Sequence, residues 1–172
     1  MFIRKANEND IDGIIKLLYQ VNQIHADGRP DLFKSGGTKY NKNDLVQILN
    51  DNNKVVFVAD DENKNVLGYI ICFFEETEET NSLNSIKTLY IDDLCVDENA
   101  RGKHIGRKLY EYVADYAKKE NFYRITLHAW ECNPSAVQFY KNLGLSTLYT
   151  AMEQILWVKS WIIRWNFVFY FS

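Results

Sequence analysis

Apolar positions along this chain follow two periods, and the places where the period changes mark its elements. Helical spacing joins Ile11, Ile14, Ile15, Leu18 and Val21, with Asn7 upstream as a capping residue. The same spacing joins Ile105, Leu109, Val113, Tyr116 and Ala117. Runs rich in strand formers occupy 2–5, 54–59, 66–74, 86–96 and 123–130, and a final strand is expected over 150–156. A short helix is expected over 44–50, stopped by Asp51, Asn52 and Asn53. Another begins where Asn133 precedes Pro134, a cap followed by a good first helical residue, and stops at Gly144. Strand 86–96, helix 105–120 and strand 123–130 should form a right-handed βαβ unit. The stretch 28–42 carries Gly, Pro, Ser and Asn without a period, so it reads as a long loop and a candidate substrate lid. Glu75, Glu76, Glu78 and Glu79 read as a solvated connection, with attraction of a cationic substrate as the alternative.

The 172 residues, 47% of them hydrophobic with only two prolines, fit one globular α/β domain that needs neither disulfides nor a structural metal. The formal charge of -3 gives no electrostatic case for nucleic acid. No apolar run approaches the roughly 18 residues of a membrane span, and the first residues lack the apolar core of a signal peptide, so a cytoplasmic location is expected. Cys72, Cys95 and Cys132 show no CxxC spacing and are read as reduced thiols, with no metal site.

The chemistry concentrates in Arg101-Gly102-Lys103-His104-Ile105-Gly106, between the strand 86–96 and the helix that follows. A helix N-terminus carries partial positive charge, which disfavours nearby cations by about 0.3–1 kcal/mol each. Arg101, Lys103, Arg107 and Lys108 nevertheless crowd this one. A phosphate or pyrophosphate held by the backbone amides resolves the conflict. Taken alone, the loop fits a solvated basic turn equally well.

A second motif changes that balance. Arg-x-x-x-x-Gly after a strand, followed by Asn133, Ala136, Phe139, Tyr140 and Gly144 in the order Asn-x-x-Ala-x-x-Phe-Tyr-x-x-x-Gly, resembles the GNAT superfamily of acyl-CoA-dependent N-acyltransferases. The resemblance covers residues 2–156 and implies a mixed, splayed β-sheet flanked by helices, with acetyl-CoA as co-substrate. It implies that Arg101, Gly102, Lys103, His104, Ile105, Gly106 and Arg107 surround a pyrophosphate. Leu94, Cys95 and Val96 would pair through their backbone with the pantetheine arm, and Asn133 would contact that arm from the far side. His104 stands where the family usually has glycine, either adding a donor or playing no part.

The stretch Tyr90-Ile91-Asp92-Asp93-Leu94-Cys95-Val96 particularly resembles the diamine acetyltransferase branch, which implies a polyamine or other small primary amine as acceptor. A protein N-terminus or lysine is the alternative acceptor, and a non-catalytic acyl-CoA-binding module is the alternative role. An alkylamine with a pKa near 10 arrives protonated at neutral pH and needs a base. The resemblance assigns proton removal to Asp92, and strict alternation puts Asp92 on the face of Leu94 and Val96 with Asp93 pointing the other way. It also makes Tyr140 the proton donor to the leaving thiolate; the alternative is a core aromatic beside Phe139. His25, Arg29, Phe33 and Trp130 are candidate substrate contacts, with packing as the other reading for Trp130. The sequence divides into a domain over 1–156 and an aromatic extension over 157–172. The extension could pack on the sheet, pair two subunits as a homodimer, lie on a membrane surface or be an accidental addition to the domain.

Overall fold

The computed structural model describes residues 1–156; the aromatic extension lies outside them. The elements are β1 (Phe2–Lys5), α1 (Ile11–Gly28), α2 (Lys42–Asn50), β2 (Lys54–Asp60), β3 (Val66–Thr77), β4 (Ile86–Val96), α3 (Ile105–Lys119), β5 (Arg124–Leu127) and α4 (Pro134–Asn142). The five strands form one mixed sheet in the order β1-β2-β3-β4-β5. The first three pairings are antiparallel, whereas β5 lies parallel to β4 after the α3 crossover.

Period-two alternation splits the sheet into two apolar faces, each needing a cover. Val56, Val58, Tyr69 and Ile71 lie under α1 and α2, against Ile14, Leu17, Leu18, Leu45 and Ile48. Val55, Phe57, Ile70, Cys72, Leu89 and Ile91 lie under α3, against Ile105, Leu109, Val113 and Ala117. The expected stripe of α1 is therefore shifted slightly: Leu17 is fully buried, while Ile15 and Val21 are only partly so.

Several boundaries differ from the sequence reading. Asn7 caps a 3-10 turn, Glu8–Asp10, which leads into α1. Helix α2 starts at Lys42, because Asn41 and Asp44 form a reciprocal capping box in which Asp44 is the third residue and not the first. Strand β3 runs on to Thr77 and takes Glu75 and Glu76 into the ladder opposite Thr88 and Lys87, although both remain exposed. Strand β5 stops at Leu127. No strand forms over 150–156; this stretch is positioned by side-chain contacts, Tyr149 on His128 and Glu153 on Arg29, and not by a backbone ladder.

Under the β1–β2 edge, Arg4 ties the chain start to the sheet. Its guanidinium donates to Asp10 through two nitrogens at 2.8 Å and to Asp60 at 2.8 Å, and both carboxylates are almost fully buried. Replacing Arg4 with Met keeps the apolar stem and leaves two buried carboxylates without their counter-charge. We expect a loss of about 2–3 kcal/mol, read as a lower urea midpoint at unchanged slope.

Candidate active site

The site is built where β4 bulges against β3 and parts from β5. On the β3 side, Ile71 pairs with Asp93 and Cys72 with Ile91, so Asp92 is an extra residue with no partner. Such a bulge shifts the alternation by one position. Before it, the odd residues Leu89 and Ile91 face α3; after it, Leu94 and Val96 pack on that side and Cys95 joins the core under α1. The expectation that Asp92 shares a face with Leu94 and Val96 while Asp93 points away is thus overturned. Both carboxylates line the same cavity, on the α1 side of the sheet.

On the β5 side, the parallel pairing ends at Ile91 with Leu127. Beyond it β4 continues to Val96 while the other chain turns away into His128, Ala129 and Trp130, so the sheet splays. The backbone edge of Leu94, Cys95 and Val96 that faces the gap has no strand beside it among the described residues. Asn133 stands across the gap, buried, its side chain capping α4 by accepting from the Ala136 amide at 3.2 Å.

The basic loop begins where β4 ends. Asp97 accepts from the Asn99 amide at 2.9 Å and from Lys16 at 3.0 Å, which fixes the 3-10 turn Glu98–Ala100. The chain then passes through Gly102 at φ 78° and His104 at φ 59° before α3 starts. A left-handed turn suits Gly102, which has open space around it; His104 adopts it with its ring exposed. Lys108 is the first amide of this region to bond backward, to His104 at 3.1 Å. The amides of Gly102 through Arg107 have no backbone or side-chain acceptor among the described residues, the arrangement expected of an anion cradle. Arg101, Lys103 and Arg107 are exposed around it. Gly106 has a separate, packing role: a β-carbon there would sit 3.2 Å from the Phe139 ring, so the glycine lets α4 approach α3.

The cavity encloses about 340 Å³. Asp92 accepts hydrogen bonds from Lys39 at 2.8 Å and from the Tyr40 hydroxyl at 2.7 Å, and Lys39 also donates to the Asp92 carbonyl at 3.0 Å. Asp93 accepts from Tyr69 at 3.2 Å. Burial pushes the Asp93 carboxyl up to about 6; the positive charge of Lys39 opposes this and the charge of Asp92 adds to it. Tyr140 reaches the cavity from α4, and burial raises its phenol above the usual range, with Asp93 adding to the shift. It therefore stays protonated at neutral pH.

Of the candidate substrate contacts, His25 and Trp130 line the cavity. Phe33 links them, 5.0 Å from His25 and edge-on to Trp130 at 5.1 Å. Burial lowers the pKa of His25, as does the charge of Lys39. Arg29 is not in the lining; it is engaged by Asp31 and Glu153. Sequence reasoning passed over Lys39, Tyr40 and Tyr69, and also Tyr90, whose hydroxyl pairs with His128 at 3.1 Å. Lys39 and Tyr40 lie in the loop suspected as a lid, but nothing in its unpatterned sequence singles them out. Burial disfavours the thiolate at both buried cysteines: it holds Cys72 well above the usual range and pushes Cys95 up to about 12. Among the described residues no acidic, Cys or His cluster is arranged to hold a metal, and no helix is long and apolar enough to cross a membrane.

Solved structures share this architecture. The BH1408 protein of Bacillus halodurans, determined as a tetramutant, is 31% identical and superposes with a TM-score of 0.87 over 91% of this chain and 100% of that one. An aminoglycoside acetyltransferase from an uncultured soil metagenomic sample, in complex with sisomicin, is 23% identical with a TM-score of 0.65, over 92% of this chain and 96% of the other; at that identity the likeness shows the fold. The glucosamine 6-phosphate N-acetyltransferase of Arabidopsis thaliana is 33% identical over 71 residues, which is 41% of this chain and 46% of that enzyme, so the sequence match spans about half of its length. The family model described as the acetyltransferase (GNAT) family matches residues 18–145, taking in the bulged strand, the basic loop and Tyr140. The chain belongs to the acetyltransferase (GNAT) family.

Proposed function

We propose that the protein acetylates a primary amine at the expense of acetyl-CoA, by direct attack of the amine. One observation carries this reading: the splay of β4 from β5 joins an amide cradle for an anion at one end to a cavity holding two carboxylates and a protonated phenol at the other. Acetyl-CoA, when bound, supplies an activated acetyl thioester. The residues that would hold it fit its parts: the amides of Gly102 to Arg107, with Arg101 and Lys103, suit the pyrophosphate. The open edge of Leu94 to Val96 suits the amide-bearing arm, and Asn133 closes the gap from the far side.

In the cavity, Asp92 and Asp93 receive the cationic head of the acceptor. Asp92 accepts a hydrogen bond from the ammonium, and Asp93, with its pKa near 6, is the carboxylate better matched to taking up the proton. Tyr140 donates to the departing sulfur. A polyamine or other small amine remains our favoured acceptor, because two carboxylates face one resident cation, Lys39, in a cavity too small for a folded chain.

Acetyl-CoA should raise the melting temperature. A ligand that binds only the folded state stabilises it by about 2.7 kcal/mol at a hundredfold excess over Kd. Replacing Arg101 and Lys103 together with Ala should remove much of that shift. An unchanged melting curve for the natural protein at saturating acetyl-CoA would overturn the proposal, and thiol release screened against amines would rank the acceptors.

A further inference from the structure

Lys39 is a primary alkylammonium held inside the cavity that we assign to an amine acceptor. Its Nζ donates to Asp92 Oδ1 at 2.8 Å and to the Asp92 carbonyl at 3.0 Å, so two of its three N–H bonds are spent on the bulged residue itself. The ammonium is close enough to Asp93 and His25 to shift both of their pKa values. Yet its side chain is 45% exposed, while the Asp92 side chain is only 7% exposed. Lys39 is thus a solvent-reachable cation on a carboxylate that is otherwise withdrawn from water. It sits in the loop between α1 and α2, one residue before Tyr40, whose hydroxyl takes the other oxygen of Asp92 at 2.7 Å and whose ring packs against the core. The partners Lys39 finds, a carboxylate, a carbonyl and a second carboxylate nearby, are those an external ammonium would need.

Resting on the function proposed above, we propose that Lys39 occupies the acceptor-amine subsite of its own protein and is itself acetylated there. The proton of the ammonium passes to the Asp92–Asp93 carboxylate pair, and the freed nitrogen lone pair attacks the thioester carbon. The N–C bond forms and the tetrahedral nitrogen sheds its second proton to solvent, the C–S bond breaks, and coenzyme A leaves as the thiol after taking the Tyr140 proton, which the carboxylate pair's excess proton restores through solvent. Lysine Nζ becomes a neutral amide, so Asp92 loses its ion pair and the cavity gains one net negative charge. The acetylated form is therefore a stronger site for an external cationic amine, whereas the unmodified form must first have Lys39 displaced.

The test has two readouts. In the first, the full chain is incubated with acetyl-CoA alone and peptides are followed by mass spectrometry. Lys39 should acquire an acetyl group at least about tenfold faster than Lys64, an exposed lysine in the β2–β3 turn, and Tyr140→Phe should slow Lys39 selectively, by about tenfold or more. The rate constant should not depend on protein concentration, since donor and acceptor share one molecule. The second readout is calorimetric binding of 1,4-diaminobutane without acetyl-CoA: Lys39→Met should bind it several-fold more tightly, and Lys39→Arg, which keeps the cation but offers no primary amine, should not. Lys39 modified no faster than Lys64 while external amines are turned over would overturn this inference and leave the proposed function standing. Absence of turnover for every amine, with Lys39 equally inert, would overturn both. Weaker diamine binding by Lys39→Met would show that Lys39 serves the acceptor and does not compete with it, and would overturn the inference as well.

Discussion

Asp93→Asn is expected to lower turnover at neutral pH by about 10²-fold or more while leaving acetyl-CoA affinity unchanged, because it removes the proposed proton acceptor without altering the loop proposed to hold the anion. The wild-type rate should fall on acidification through pH 6, where the carboxyl takes up its proton, and this limb should vanish in the variant. The same substitution should stabilise the fold. The carboxyl titrates near 6 in the native protein and near 3.9 in an unfolded chain. Between those values the native state holds a proton that the unfolded state has released, so native stability is greatest below about pH 4 and falls as pH rises through about 6, by about 3 kcal/mol in all. An asparagine carries no such penalty and can still accept from Tyr69. A gain in melting temperature at pH 8 together with the loss of turnover would mark a group retained for chemistry against stability. A fall in melting temperature with turnover intact would show that Asp93 is structural.

Tyr140→Phe should also slow turnover, by about 10²–10⁴-fold if the phenol donates the proton to the leaving thiolate, and by no more than about tenfold if it only contributes one hydrogen bond. Burial keeps this phenol protonated across the whole working range, so no basic limb from Tyr140 should appear in the pH profile. Because the ring volume is preserved, melting temperature and acetyl-CoA affinity should stay close to wild type. A small kinetic effect accompanied by a marked loss of stability would return Tyr140 to the role of a packing aromatic.

Much of the basic loop's setting was legible in the sequence, because strand, loop and helix are contiguous there. Cations massed at a helix start are visible as a local conflict, and the structure adds the open amides of Gly102 to Arg107 that a phosphate would satisfy. One detail was not legible: Gly106 answers to Phe139, more than thirty positions away, and a spacing motif cannot separate a glycine kept for a ligand from one kept for a neighbouring helix. The cavity was far less visible. Lys39 and Tyr40 come from an aperiodic loop and meet Asp92 across 53 and 52 positions, a distance no local pattern spans.

What the sequence determined by itself was the kind and order of its elements as far as α4 and the massing of cations at one helix start, since period, caps and breakers act over a few residues and need no partner. Which carboxylates share the cavity was decided only by the tertiary structure. Alternation along β4 taken alone puts Asp92 and Asp93 on opposite faces. The ladder with β3 accommodates one residue too many, Asp92 bulges, and everything after it reverses face, bringing Asp93 under α1 beside Asp92. The same holds for the segment 150–156, whose strand-like sequence is not drawn into the sheet but is placed by His128 and Arg29. A strand is defined by the partner it pairs with, and that partner lies elsewhere in the chain.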